Sequence, residues 1–351
     1  MEFGLNFFPE VKPEEKSARD YWREALYLTS LCDALGYRHV RTVEHYFHHY
    51  GGYSPNPLIF LTAASQRTKN VRLVTGAILP VFNHPLKVAA EIGEVDAISD
   101  GRLDVGFARA FLPHEFRRMG RSLDESRARF NEGFEIVRRL LTEEHVTYRG
   151  EFHSFEDVTS LPRPTQRPHP PFWIAASSSD ESFVNAGRLG VGLMTFPREA
   201  AVVRRWIELY REAWQKAGHP GRGRVMIAFQ MFCAPTDREA ETVAREEIVT
   251  YWRSIADANA EWTEGVTSKD YPNNPRMVAA MRALTYEKLV ANGAVWVGAP
   301  NTVRDQITAF ADAVGGFEIA SLQVNPHCIP VEAAESSMRL FAAEVMPRLR
   351  G

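Results

Sequence analysis

The sequence predicts an α/β chain of the parallel (β/α)8 class, a TIM barrel with insertions. Three observations carry that reading. Strand-like apolar runs alternate with helix-like runs from the first residue to the last, the pattern of a parallel sheet wrapped by helices. Titratable and cationic side chains gather just past the C-terminal ends of successive strands, where this architecture keeps its chemistry. The 351 residues also exceed the roughly 250 of a plain barrel, so the surplus belongs to insertions.

Phe3 to Phe8 reads as the first strand, and Ser17 to Leu35 as a helix stopped by Gly36. His39 to Val43 is the second strand. It leads to a helix from Pro57 to Arg67, where Asn56 caps and Pro57 suits the first helical turn. The third strand, Val71 to Ala77, feeds a helix at Pro85 to Ile98, and the fourth, Arg102 to Ala108, feeds a loop and then a helix at Asp124 to Leu141. Glu144 to Phe155 has the look of a hairpin, and Leu161 to Pro171 of a proline-rich connector. Strands follow at Phe172 to Ala176, Val191 to Phe196, Val225 to Cys233 and Ile319 to Val324, with helices at Asp180 to Arg188, Arg198 to Gly218 and Val331 to Arg348. Ala294 to Val297 is a further apolar run, assigned to a connection outside the barrel. Residues 1–351 are therefore read as one domain. Its largest insertion, 251–291, is turn-rich and aromatic around Trp262 to Pro275 and suits a lid.

Composition narrows the function classes. A net charge of -3 with both signs interspersed provides no broad attraction to phosphate backbones or anionic membranes, so nucleic acid is an unexpected partner. No apolar run approaches the roughly 20 residues that span a bilayer, and Met1 to Phe8 lacks a secretory signal, which points to the cytoplasm. Cys32, Cys233 and Cys328 are far apart and fit small core residues better than a disulfide framework or zinc site.

Glu44-His45-Tyr46-Phe47 follows the second strand. His45 is an imidazole placed to donate or accept a proton near neutral pH, or a structural loop histidine. Glu44 either orients that ring or closes the barrel end. Glu44/His48 and His45/His49 have i, i+4 spacing, but the His-Glu-x-x-His order is absent and Gly51-Gly52 with Pro55 oppose a long helix, so no metal is expected. Arg109, past the fourth strand, can grip a phosphate with its fixed fork of donors or sit in a salt bridge. Ala175-Ala176-Ser177-Ser178-Ser179-Asp180 turns from a strand end into a helix N-terminus, where free N–H groups attract an anion and serines also serve as caps. Asn6, Phe8, Thr195, Phe196 and Asn325 are candidate pocket residues at further strand ends.

These motifs resemble the bacterial-luciferase-like, flavin-dependent monooxygenases. Members read Glu-His-His/Tyr-Phe after the second strand and Gly-x-Cys/Ala-Arg-Gly/Ala after the fourth, here Gly106-Phe107-Ala108-Arg109-Ala110. Asn56-Pro57, Leu79-Pro80, His84-Pro85, Asp96 to Arg102, Pro171 to Ser179 and Leu340 to Pro347 follow in family order, while residues 235–292 match poorly.

The resemblance implies a luciferase-like barrel with His45 beside the reactive edge of a flavin and the flavin phosphate between Arg109 and the turn of Ala176, Ser177 and Asp180. Asp180 departs from the luciferase's threonine, which favours capping over phosphate contact. Thr75-Gly76 falls where the family has a non-proline cis peptide against the flavin ring; alternatively Gly76 marks a close backbone approach. Ala108 stands in the place of the luciferase's reactive cysteine. The implied function is an FMN-dependent monooxygenase that takes reduced FMN from a separate flavin reductase and, with O2, oxygenates a small organic substrate. No Gly-x-Gly-x-x-Gly fingerprint lies between a strand and a helix, so tight NADH binding is not indicated. Rival readings are a deazaflavin-dependent oxidoreductase on the same barrel, a non-catalytic flavin-binding protein and a metal-dependent hydrolase. Members commonly pair through the helices after the second and third strands, so a homodimer is implied.

Overall fold

The computed structural model describes residues 1–349, so the last two residues of the expected domain lie outside it. Among the described residues the strands are, in chain order, β1 Glu2–Phe7, β2 His39–Thr42, β3 Arg72–Thr75, β4 Leu103–Phe107, β5 Val146–Arg149, β6 Ser154–Val158, β7 Phe172–Ala175, β8 Gly192–Thr195, β9 Val225–Cys233, β10 Val295–Gly298 and β11 Ile319–Gln323. Eight of them close on themselves in parallel, in the order β1-β2-β3-β4-β7-β8-β9-β11 and back to β1. This is the expected TIM barrel. β5 and β6 form the expected hairpin outside it.

The short apolar run at Ala294 to Val297 stays outside the closed eight, as expected, but it is a strand and not a plain connection. It forms β10, which pairs in parallel with the C-terminal half of β9, from Val295 opposite Gln230 to Gly298 opposite Cys233. At nine residues, β9 outruns its barrel neighbours and leaves unpaired backbone groups that a ninth strand satisfies.

Local sequence chemistry sets the helices. Asn56 and His84 each accept from the backbone N–H two residues on, at Leu58 and Leu86, and Pro57 and Pro85 occupy first turns where no donor is needed. The expected helix from Ser17 to Leu35 is split into Ala18–Ser30 and Cys32–Leu35, and Gly36 ends it at φ 79°, a left-handed geometry that suits glycine. Pro113–Arg118 is a short helix where the sequence suggested loop.

The N-terminal half of the barrel is plugged. Val74, Trp173, Met194, Met226 and Ile319 pack together, and Trp173 Nε1 donates to Asp104, which also pairs with Arg72. The interior is therefore open only toward the C-terminal strand ends. Above that mouth the 251–291 segment is mostly helical rather than turn-rich. The helix Asp237–Ala258, started by a Thr236/Glu239 capping box, runs into it, followed by a 3-10 turn Ala260–Thr263 and helices Asn274–Arg282 and Tyr286–Ala291. Trp262, Tyr271 and Val278 give the segment a small core of its own. No helix among the described residues is long and apolar enough to cross a membrane.

Candidate active site

A cavity of about 430 Å³ opens at the C-terminal end of the barrel, within the roughly 300–1,000 Å³ range of small-molecule sites. Glu44, His45, Gly76, Ala108, Arg109, Ala176 and Ser177 all line it. The structure thus brings together, around one space, residues that the sequence placed at three strand ends and a helix start.

His45 is held by a partner the sequence did not reveal. Its Nδ1 lies 3.0 Å from Glu115 Oε1, and the same oxygen accepts the Tyr46 N–H at 2.8 Å. Glu115 is fully buried on the helix Pro113–Arg118. A six-residue helix beginning Pro-His-Glu has too little periodicity to be read from sequence.

Glu44 does not orient the His45 ring. Its Oε1 accepts from Tyr46 Oη and Asn83 Nδ2, both at 2.6 Å, and its Oε2 accepts from the Leu79 N–H at 3.2 Å. The carboxylate therefore ties the loop after β2 to the loop after β3. Burial pushes its pKa up to about 8, although the three donors pull the other way.

The site requires further corrections. The non-proline cis peptide is Gly76-Ala77, one residue beyond the expected bond. Thr75 faces away from the cavity: its Oγ1 donates to the Gly106 carbonyl at 3.0 Å and accepts the Gly106 N–H at 2.8 Å, riveting β3 to β4. Asp180 neither caps nor lines the cavity. The cap position is Ser179, whose side chain makes no capping bond, and the Asp180 carboxylate pairs with Arg205 at the surface. Asn325 is buried but is not part of the lining, whereas Asn6, Phe8, Thr195 and Phe196 are. His48 accepts the Tyr50 N–H through Nδ1 and stacks on His49.

Arg109 has a loose set of partners. Its nearest carboxylate oxygen, on Asp270, is 4.0 Å away; Nη2 donates to the Asp270 carbonyl at 3.4 Å, and the guanidinium lies over the Tyr271 ring. Nη1 is buried with no hydrogen-bond partner. Ser177, Ser178, Ser179, Arg127 and Arg188 line the same end of the cavity, ahead of the ten-residue helix Asp180–Leu189. Arg127 is already paired with Glu181 and Asp270, and Arg188 donates to Asn185, so Arg109 Nη1 is the buried donor left over among these side chains; Phe8, Val43, Leu79, Ala108 and Phe111 supply apolar lining. The 251–291 segment lines the cavity through Tyr271, Asn274 and Met277 and is bonded to the loop after β4: Tyr271 Oη donates to the Ala110 carbonyl at 2.6 Å, and Trp262 Nε1 to that of Phe111 at 3.0 Å.

The family model for luciferase-like monooxygenases matches residues 1–315. The chain belongs to this family. Among luciferase-like monooxygenases it is 27% identical over 353 residues to the oxygenase component of the flavin-dependent trigonelline monooxygenase of Acinetobacter baylyi, covering 99% of this chain and 95% of the relative. The crystal structure of monooxygenase RslO1 from Streptomyces bottropensis is 42% identical with a TM-score of 0.89, over the full length of both chains. A third match shows the fold alone: the oxygenating constituent of 3,6-diketocamphane monooxygenase of Pseudomonas putida, solved with FMN, is 24% identical with a TM-score of 0.83, covering 99% of this chain and 98% of that one. The protein is a flavin-dependent monooxygenase, an oxidoreductase.

Proposed function

We propose that the cavity binds reduced FMN supplied by a separate reductase and, with O2, directs one oxygen atom onto a small organic substrate. The observation that carries this reading is the convergence of His45, Arg109 and Ser177 on one cavity. The buried Nη1 of Arg109, 4.0 Å from Asp270 and without a hydrogen bond, fits a phosphate, because a buried donor without an acceptor costs about 1–3 kcal/mol. Ser177 and the N-terminus of the helix Asp180–Leu189 would complete that anchor.

Bound reduced flavin supplies the electrons that activate oxygen. The chain's residues do the rest. Arg109 and the serine turn fix one end of the cofactor, and the apolar walls exclude water. His45, set by Glu115 at its Nδ1, presents Nε2 as the atom that gives or takes a proton. Ala108 puts a methyl group where the luciferase has a thiol, which leaves more room there.

In the same reading residues 1–351 act as one cytoplasmic domain whose 251–291 segment is a lid. Two copies pair through the helices Pro57–Ser65 and Pro85–Ile98, on which Ile59 and Ile98 are exposed apolar side chains.

The purified chain, mixed with photoreduced FMN under air and under argon, tests the cofactor and the use of oxygen. Expected is tight binding of reduced FMN over reduced deazaflavin, with no substrate turnover under argon. Turnover that proceeds equally without oxygen, or rapid NADH oxidation by the chain alone, would overturn the reading.

A further inference from the structure

A second cation borders the cavity, deeper than Arg109, and the chain does not neutralise it. Arg41 lies within β2, opposite Asn6 of β1 and Val74 of β3, one layer below the strand ends. It is 9% exposed. Nη1 donates to Asn6 Oδ1 at 3.2 Å and Nη2 to the Gly76 carbonyl at 2.8 Å, while Nε is buried with no partner. Both acceptors are neutral, and no carboxylate among the described residues comes within salt-bridge distance. The titratable groups that face it are the phenols of Tyr50 and Tyr251, both buried. Gly76 is required beside it, since any side chain there would collide with the Arg41 side chain.

An isolated buried guanidinium costs several kcal/mol in lost hydration unless an opposite charge meets it. The groups around it are polar but uncharged. Asn6, Gln230 and Gln323 line the same floor; Gln230 Oε1 accepts from Trp252 Nε1 at 3.0 Å, Gln323 Nε2 donates to the Phe8 carbonyl at 3.3 Å, and Thr195 Oγ1 is buried without a partner. Beside them the rings of Phe8, Tyr50 and Tyr251 pack against one another at interplanar angles of 42° to 81° and form an angled aromatic wall. Arg109 stands beyond β4 with its own set of donors, so one anionic tail does not account for both cations.

We propose that Arg41, with Asn6, is the group that selects the substrate, seating an ionised, ring-conjugated oxygen of the phenolate or enolate kind against the aromatic wall. This rests on the monooxygenase reading of the cavity given above. The desolvation that lowers the Arg41 pKa to about 10 is the same stress that a bound oxyanion relieves. Arg41 is a specificity residue in this assignment, and Gly76 and Asn6 hold its fork in place.

The test uses para-nitrophenol, whose visible band reports its ionised form, and para-nitroanisole, which cannot ionise. With the flavin-free protein the bound phenol is expected to ionise about one pH unit or more below its free value, and the anisole to bind about tenfold more weakly, the size of a charge-assisted hydrogen bond. Arg41→Gln is expected to abolish the shift and Arg41→Lys to keep part of it, with FMN affinity, read by flavin fluorescence, moving less than about twofold. No shift in the wild-type protein overturns the proposal without any variant. Loss of FMN binding in Arg41→Gln with the phenol shift retained overturns it too, by assigning Arg41 to the flavin. Wild-type protein that binds the phenolate but no FMN would remove the monooxygenase reading and leave the anion site standing.

Discussion

His45 and Glu115, 70 residues apart in sequence, meet at 3.0 Å between Nδ1 and Oε1, and the carboxylate in that pair has no exposure to solvent. A buried acid against one ring nitrogen fixes which nitrogen faces the cavity, the job that a carboxylate does for a catalytic histidine.

Glu115→Gln keeps an acceptor for the Tyr46 N–H but removes the charge. Turnover is expected to fall about 10- to 100-fold with FMN affinity unchanged. His45→Gln is expected to fall at least as far, and the double variant no further than His45→Gln alone, because the two residues act as one unit. Additive losses in that cycle would separate their roles.

Arg109→Gln is expected to weaken FMN binding about tenfold or more, as for a lost charge-assisted hydrogen bond, and to leave riboflavin binding nearly unchanged. Riboflavin lacks the phosphate, so equal weakening of both ligands would show that Arg109 serves the fold and not the phosphate.

Glu44 predicts a pH-dependent stability. Its pKa is raised in the folded state, from 4.5 to about 8, by burial, so the folded state holds the proton more tightly than the unfolded chain does. Its contribution is complete below pH 4.5 and is lost as pH rises toward 8. Relative to Glu44→Gln, the wild type is expected to lose a few kcal/mol across that window, at about 1.4 kcal/mol per pKa unit. Urea denaturation at intervals across the window measures it, and a constant difference between the two proteins would contradict it.

His327 predicts the opposite end of the scale. Its Nδ1 lies 3.2 Å from Glu10 Oε2 and 3.1 Å from the Glu10 carbonyl, and Glu10 is buried. Burial draws the imidazole pKa down, but neighbouring Cys328 and Glu10 outweigh it and hold the pKa up at about 11, against the usual 6.5. That contribution is full below pH 6.5 and declines as pH approaches 11. His327→Gln leaves Glu10 buried without its counter-charge, an expected loss of about 3–5 kcal/mol near pH 6. The gap from wild type, read by denaturant midpoints, is expected to narrow in alkali.

The barrel was legible because parallel strands buried on both faces leave nearly continuous apolar runs, and Asn56-Pro57 and His84-Pro85 mark helix starts by local chemistry. His45, Arg109 and Ser177 were legible for a related reason: each stands at the exit of such a run. Contacts distant in sequence were not. Glu115 sits on a helix too short to show a period, and Asp180 was diverted to Arg205, a partner on another helix. Thr75 turned on register, since a shift of one residue puts a strand side chain on the other face. Arg41 did leave a signal, a lone charge inside a strand of otherwise buried character.

The grip around Arg109 is assembled from remote parts of the chain. Asp270 brackets its guanidinium, and Tyr271 holds the carbonyls of Arg109 and Ala110. While the chain is being synthesised, its first four strand–helix units emerge well before residues 270 and 271. The clamp that shapes the anion pole therefore reaches them late, yet ahead of β11 at Ile319–Gln323, whose pairing with β1 closes the barrel.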